Sequence, residues 1–257
     1  MKNSKRHKTS GNGWERETQN GPTGSEGRLW LYGRHTVLAA LNNPKRQKHR
    51  LVVTSDNLQG ISDRIEPEIL DRLKLEQLLP TGAVHQGIAL LTSPLPETVL
   101  EDIIDQTSDY SVIVVLDQAN DPRNVGAVLR SAAAFQVDAV IVPDRRTPKN
   151  TAGLAKSASG ALDKIPLLRV TNLARTLDDL KDAGYWCAGL VPDANQTLAE
   201  AKLSGKIILI LGAEGRGIRR LTREKCDFLV RIPIGHSMNT LNLSAAAAIS
   251  LYELKRN

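Results

Sequence analysis

The stretch "SVIVVLDQANDPRNVGAVLRSAAAFQVDAVIVP", residues 111–143, decides the fold class. It begins with five consecutive large apolar residues, 112–116, a run that is typical of a parallel strand buried on both faces. A helix is predicted from about Val125 to Phe135, and "DAVIVP" predicts a second buried strand. Strand, helix and strand with short connections indicate a parallel βαβ unit.

The same alternation continues to the C-terminal end of the sequence. The sequence therefore predicts an α/β fold over residues 109–257, with a mostly parallel sheet and helices on both faces. Apolar patterning places the further elements as a helix over 172–183, strands over 185–190 and 206–212, a short helix near 218–224, a strand over 227–234 and a last helix over 244–255.

A smaller α/β domain is predicted over residues 28–93. Its elements are a helix over 33–43, a strand over 50–54, a helix over 66–79 and a strand over 87–93. The second helix is predicted because Ile69, Leu73, Leu75 and Leu79 lie near helical spacing. Two prolines in "SPLPE" end this domain, so residues 94–108 are predicted as a linker. Residues 1–27 are polar and Gly-rich, which predicts a flexible basic tail.

Composition excludes several classes of protein. With 257 residues and 41% hydrophobic content, the chain can bury a substantial core. No apolar run approaches the roughly 18 residues of a membrane span, and no signal peptide is visible, so a soluble, cytoplasmic protein is expected. Cys187 and Cys226 stand alone, which predicts two buried thiols, no disulfide framework and no metal site.

The net charge of +6 is unevenly distributed. Residues 27–55 contain no acidic side chain, whereas residues 56–110 are strongly acidic. The basic block predicts contact with a polyanion through its phosphates, although a solvated charged face fits the charge equally well. Its cations are Arg28, Arg34, Lys45, Arg46, Lys48 and Arg50.

Three polar loops follow predicted strands, and ligands of open parallel sheets bind at the carboxyl ends of strands. The loops begin after Asp117, at "LGAEGRGI" (211–218) and at "IPIGHSMNTLNLS" (232–244). The glycines of the second loop lie too late and at the wrong spacing for a dinucleotide fingerprint, which disfavours a Rossmann oxidoreductase or an ordinary Rossmann-like methyltransferase. They fit either a tight turn or a close backbone approach to a ligand. In the third loop, Asn242 or Ser244 is suited to cap the last helix.

In this order, "NDPRNVGAVLRSAAAF", "LILGAEGRGI" and "IPIGHSMNTLNLSAAAA" resemble the three motifs of the SpoU/TrmH family of RNA ribose 2'-O-methyltransferases, within the SPOUT superfamily. "YGRHTVLAAL" with "HQGIALL" is similar to the small ribosomal-protein-like RNA-binding domain of that family's 23S rRNA guanosine methyltransferases. Two positions depart from the family pattern, because Thr240 replaces the usual Ser and His236 stands where Gly is common.

The resemblance implies a C-terminal trefoil knot, a homodimer, no metal and S-adenosyl-L-methionine as the cofactor, held in a bent form mainly by backbone groups. The implied cofactor contacts are Gly212, Glu214, Gly215, Ile232, Ile234 and Leu241.

The resemblance also implies a catalytic set. Arg130 matches the arginine of the first motif, but a guanidinium stays protonated and is a poor base. We therefore expect it to hold an RNA phosphate and stabilise the developing alkoxide. Asn124 is expected to cap its helix and to orient Arg130 or the ribose, while Gly126 permits a close approach. The full implied set is Asn124, Arg130, Glu214, Asn242 and Ser244.

The expected function is methylation of a guanosine in 23S rRNA, with Arg34 and His35 of the small domain binding RNA. Basic residues of the tail would add a salt-sensitive contribution. A tRNA ribose methyltransferase of the same family is one alternative. A non-catalytic RNA-binding factor for ribosome assembly is another, although the intact catalytic set argues against it.

Overall fold

The computed structural model describes residues 27–58, 61, 65–106, 108–144, 152–213, 215–235 and 240–256. All of the predicted tail except Gly27 lies outside these ranges, as do Glu214 and His236. The described chain contains two sheets, one of four strands and one of seven.

The elements of the N-terminal domain are β1 (Leu29–Tyr32), α1 (Arg34–Asn42), β2 (Lys48–Val53), β3 (Pro67–Ile69), α2 (Arg72–Gln77) and β4 (Ile88–Thr92). Its four strands form one sheet in the order β1-β4-β2-β3. The sheet is mixed, because β4 runs antiparallel to both β1 and β2, whereas β3 is parallel to β2.

The helix predicted over 66–79 is wrong in its first half. Pro67–Ile69 forms the edge strand β3, where the missing N–H of proline is tolerated. Asp71 then begins α2 by accepting a hydrogen bond from Lys74 N at 2.8 Å. Of the four residues at near-helical spacing, Leu75 and Leu79 are buried, but Ile69 and Leu73 are exposed. The helical spacing is therefore matched by a buried face only at Leu75 and Leu79, in and just after α2.

Helix α3 (Leu100–Gln106) lies within the range predicted as a linker, and it buries Ile103. The C-terminal domain then contains β5 (Ser111–Asp117), α4 (Pro122–Ala134), β6 (Ala139–Pro143), α5 (Ala152–Ala158), β7 (Leu167–Val170), α6 (Leu173–Asp182), β8 (Trp186–Leu190), β9 (Gln196–Thr197), β10 (Lys206–Gly212), α7 (Arg220–Arg223), β11 (Phe228–Arg231) and α8 (Leu243–Lys255). Its sheet has the order β7-β6-β5-β10-β8-β11-β9, and all its pairings are parallel. This confirms the predicted α/β fold with a parallel sheet.

Strands β5 and β10 form the centre of the sheet. They pair in register over their full lengths, from Ser111 opposite Lys206 to Asp117 opposite Gly212. Every residue of β5 is buried, as its unbroken apolar sequence predicts. The carboxyl ends of the two strands are therefore adjacent, and the loops that leave them meet at one edge of the sheet.

The two domains share one hydrophobic core, because α1 packs against α5 and the 3-10 turn Ala161–Asp163. A Cβ on Gly160 would come within 2.6 Å of Ala39 Cβ, so the backbones are in close contact there. Across this junction, Arg46 Nε and Nη2 donate to the two carboxylate oxygens of Asp163 at 2.9 and 3.1 Å. Their side chains are only 4% and 2% exposed. Arg46, predicted as part of a polyanion-binding block, is instead a structural residue.

The prediction of two buried thiols is confirmed for Cys187 and only in part for Cys226. Cys187 is buried and Cys226 is partly buried, and neither forms a disulfide. Burial raises the pKa of Cys187 to about 12 and that of Cys226 to about 11. In the described ranges no helix is long and apolar enough to cross a bilayer, and no group of three His, Cys, Asp or Glu side chains could hold a metal ion.

Candidate functional site

A buried carboxylate fixes the second loop to the end of β5. Asp117 is fully buried, and it accepts hydrogen bonds from the backbone N of Arg219 at 2.9 Å and from its Nε at 2.6 Å. Sequence reasoning missed this pair. The signal was an acidic residue that ends an otherwise apolar strand, because a buried charge needs a partner.

The second loop is a tight turn built from glycine. Ala213 and Gly217 exchange two backbone hydrogen bonds, at 3.2 and 2.9 Å. Gly215 and Gly217 have φ of 76° and 66°, a region that favours glycine. A Cβ on Gly212 would overlap with the backbone of Gly217. The turn interpretation of these glycines is therefore confirmed.

The third loop ends at a capped helix. Asn242 is the N-cap of α8, and its Oδ1 accepts hydrogen bonds from Ser244 N at 2.9 Å and from Ser244 Oγ at 2.6 Å. This confirms Asn242, rather than Ser244, as the residue that caps the last helix. The amide Nδ2 of Asn242 donates to Asn124 Oδ1 at 3.4 Å. The third loop thus meets the first.

The beginning of α4 differs from its prediction. Asp121, not Asn124, is the N-cap, accepting from Arg123 N at 2.8 Å, and Pro122 occupies the first helical position. Asn124 lies within the first turn, so its side chain is not needed as the cap. Gly126 permits the close approach of α5, because a Cβ there would lie 2.5 Å from Ser157 Cβ.

A cavity of about 660 Å³ lies at the carboxyl ends of β8, β10 and β11. The sequence-predicted residues that line it are Gly212, Gly215, Ile232, Ile234 and Leu241. Sequence reasoning missed the loop after β8, which contributes Leu190, Val191, Pro192 and Asp193 to the wall. That loop leaves a parallel strand as the other loops do, but it has no glycine cluster to mark it.

The wall of the cavity combines apolar side chains with arginines. Arg223 donates to Asp193 at 2.9 Å, and this hydrogen bond lowers the pKa of the carboxylate. Arg216 is exposed and Arg231 is half-buried, and within the described ranges neither forms an ion pair. The cavity is therefore suited to a ligand with an apolar part and an anionic group.

The remaining predicted residues lie outside this wall. Arg130 is six residues beyond Asn124 on α4, and its side chain is exposed and does not line the cavity. Ser244 is half-buried beside the cap. At the start of α1, His35 is exposed, and the backbone N of Arg34 donates to Gln86 Oε1 at 3.0 Å. The structure thus brings Asn124, Asn242 and Ser244 together and places Arg130 apart from them.

Comparison with known sequences gives a consistent result for both domains. Residues 111–252 match the SpoU rRNA Methylase family, and residues 30–98 match the RNA 2'-O ribose methyltransferase substrate-binding family. The chain is 40% identical over 240 residues to the 23S rRNA (guanosine-2'-O-)-methyltransferase RlmB of Pseudomonas aeruginosa, covering 88% of this chain and 95% of that protein. It is also 40% identical over 237 residues to RlmB of Escherichia coli K12, covering 88% and 97%.

Solved structures share the fold. The SpoU methyltransferase AviRb from Streptomyces viridochromogenes, in complex with AdoMet, superposes with a TM-score of 0.75 at 20% identity, over 90% of each chain. The AdoMet-bound rRNA methyltransferase from Sinorhizobium meliloti gives a TM-score of 0.74 at 18% identity, over 90% of this chain and 87% of that one.

Proposed function

This chain belongs to the SpoU rRNA methylase family, and we propose that it transfers a methyl group from S-adenosylmethionine to the ribose 2'-hydroxyl of a guanosine in 23S rRNA. The contact between Asn242 and Asn124 carries the proposal. It joins the first and third loops beside the cavity that the glycine turn lines, so that a bound cofactor and a ribose would lie next to each other. The 40% identity to 23S rRNA guanosine methyltransferases supports the choice of RNA and nucleotide.

The cavity fits the cofactor in size and in chemistry. Its volume of about 660 Å³ lies in the range of small-molecule sites. Leu190, Ile232 and Leu241 offer apolar surface for the adenine, and the glycine turn offers backbone groups. Arg216 and Arg231 are cations suited to the carboxylate of the methionine part. When bound, S-adenosylmethionine supplies an electrophilic methyl group on a sulfonium.

The residues of the chain then position the nucleophile. A displacement at the methyl group requires the 2'-oxygen to lie in line with it, and holding the ribose in that geometry accounts for much of the rate. Asn124 and Asn242 are joined by a side-chain hydrogen bond where the first and third loops meet, and there they would orient the ribose. Arg130 would bind the adjacent phosphate and stabilise the negative charge that develops on the oxygen, while the proton leaves to phosphate or water.

We propose that the site is completed in a homodimer. Arg130 is exposed on α4 and does not line the cavity of its own subunit, so Arg130 of the partner subunit is the better candidate for this role. Helix α8, which packs against α4, exposes Ile249 at 44% and Tyr252 at 58%. These side chains are suited to an interface. Sedimentation equilibrium of wild type and Tyr252→Glu would test it, since a monomeric wild type would contradict the proposal.

The trefoil knot of the family is also proposed for this chain. The loops after β8, β10 and β11 line one cavity, and α8 returns from it to pack against α4. This arrangement supports a knot in which the segment that contains α8 passes through an earlier loop of the same domain.

The test of function uses labelled S-adenosylmethionine with deproteinised 23S rRNA, 16S rRNA and bulk tRNA in separate reactions, followed by mapping of alkali-resistant linkages. Label on one guanosine of 23S rRNA is the expected result. Arg130→Ala should lower the rate by about 100-fold or more, whereas Arg123→Ala, an exposed arginine on the same helix that pairs with Asp121, should not. Label on tRNA alone would assign a tRNA substrate, and cofactor binding without any transfer would support the assembly-factor alternative.

A further inference from the structure

Lys156 of the catalytic domain reaches across the junction into the small domain. It lies on α5, and its Nζ is 5.9 Å from the centroid of the Tyr32 ring, a distance that favours a cation–π contact. The ammonium also lies directly against Gly33, where a Cβ would overlap with it. The lysine is therefore held at the turn that joins β1 to α1.

Among the residues that the structure describes, no acidic side chain pairs with this lysine. Its side chain is half-buried, and within the described ranges no carboxylate lies at ion-pair distance from it. Burial lowers the pKa of Lys156, and no acidic group offsets that effect. By contrast, Lys181 pairs with Asp227 at 2.6 Å and Lys225 pairs with Asp178 at 2.7 Å. A partly desolvated cation without a counter-charge is unfavourable unless a ligand supplies one.

Lys156 also lies between the catalytic loops and the small domain. Ser157, the next residue, contacts Gly126 of α4, two residues after Asn124. On the other side, Gly33 is followed by Arg34 and His35, the residues predicted to bind RNA. Lys156 thus lies between the first turns of α4 and the start of α1.

We propose that Lys156 is an RNA phosphate-binding residue at the domain junction, where the RNA backbone crosses from the small domain to the catalytic loops. The inference rests on the proposed function, because it takes RNA as the substrate. Tyr32 and Gly33 hold the ammonium in place, and a phosphate supplies the negative charge that none of the described side chains provides. Such a contact positions the RNA and carries no base specificity.

The test measures binding of the full chain to in vitro transcribed 23S rRNA by filter binding between 50 and 200 mM salt. Lys156→Gln should weaken RNA binding by about tenfold at the lowest salt and reduce the slope of log affinity against log salt by about 0.7 to 0.9, the contribution of one phosphate contact. Lys156→Arg should retain most of the affinity and the slope. Affinity for S-adenosylmethionine, measured by calorimetry, should not change in either variant.

A matched control is available at the amino end of β5. Lys255 Nζ lies 5.1 Å from the Tyr110 ring, beside the amino end of β5, so Lys255→Gln removes the same charge from the same kind of contact. It should leave the salt slope unchanged. Thermal unfolding of each variant checks that the fold is retained.

Two results would overturn the role proposed for Lys156, and a third would overturn the proposed function instead. Weaker RNA binding with an unchanged salt slope would overturn the inference, since the lysine would then act by packing the junction. Equal binding by wild type and Lys156→Gln would overturn it as well. Failure of the proposed function would appear in the wild type itself, as RNA binding without methyl transfer to any RNA.

Discussion

The domain junction and the edge of the cavity are built by opposite means. At the junction, the side chains of Arg46 and Asp163 are almost fully buried and glycine allows backbones to touch. At the cavity edge, Asn242 is exposed and its bond to Asn124 is 3.4 Å long. The junction therefore concentrates stability, whereas the cavity edge keeps polar groups accessible to ligands. Substitutions in the two regions should separate effects on folding from effects on catalysis.

The largest effect on stability is expected from Arg46→Ala. It removes the charged partner of the buried Asp163 carboxylate, which keeps only the hydrogen bond from Asn43 Nδ2 at 3.0 Å. Loss of one charge from a comparable buried pair costs about 3–5 kcal/mol of unfolding free energy. Urea unfolding provides the measurement. Arg50→Ala, which removes an exposed pair with Glu68, is the matched control and should leave the unfolding free energy nearly unchanged. Equal losses in the two variants would mean that the junction does not concentrate stability.

Gly126→Ala should lower both the unfolding free energy and the rate of methyl transfer, because this residue lies between the two regions. Gly126 lies between them, and an added methyl group would press on Ser157 and on the backbone of Ala158. Overpacking of this kind costs about 1–3 kcal/mol. Because Asn124 is only two residues away on α4, methyl transfer should fall as well. Unfolding and transfer assays on the same preparation test the prediction, and a loss of stability with full activity would contradict it.

The cavity wall could be predicted from the sequence more easily than the domain junction. Apolar runs give β5 and β10, and the second and third polar loops at the carboxyl ends give most of the cavity wall, because both depend on residues near in sequence. The ion pair of Arg46 with Asp163 joins residues 117 positions apart, and nothing local marks it.

The cap of α4 shows a finer limit. Asp121 and Asn124 are both residue types that cap helices, so the choice between them depends on where the backbone turns, with Pro122 as the local indication.

Asn242→Ala should separate catalysis from stability. Loss of the cap on α8 costs about 1 kcal/mol, and loss of the contact with Asn124 should reduce methyl transfer by about 100-fold through misplacement of the ribose. Asn172→Ala is the matched control, because Asn172 caps α6 in the same way, accepting from Arg175 N at 3.2 Å. It should lower stability equally and leave transfer unchanged. Equal activity in the two variants would remove Asn242 from the catalytic set.

The smallest effect concerns the sheet beneath the cavity. Cys187 on β8 is buried, and burial raises its pKa to about 12. An unfolded thiol ionises near its ordinary pKa of about 8.5, so the unfolded state gains stability first as pH rises. The thiol should therefore stabilise the fold fully below that pKa and lose its contribution progressively up to about pH 12. Between pH 7 and pH 9.5, the wild type should lose roughly 1 kcal/mol more than Cys187→Ala. Urea unfolding at several pH values provides the measurement. If the unfolding free energies of wild type and Cys187→Ala changed equally with pH, the thiol would be accessible to water in the folded state. Strand β8 would then be less tightly packed than the domain junction.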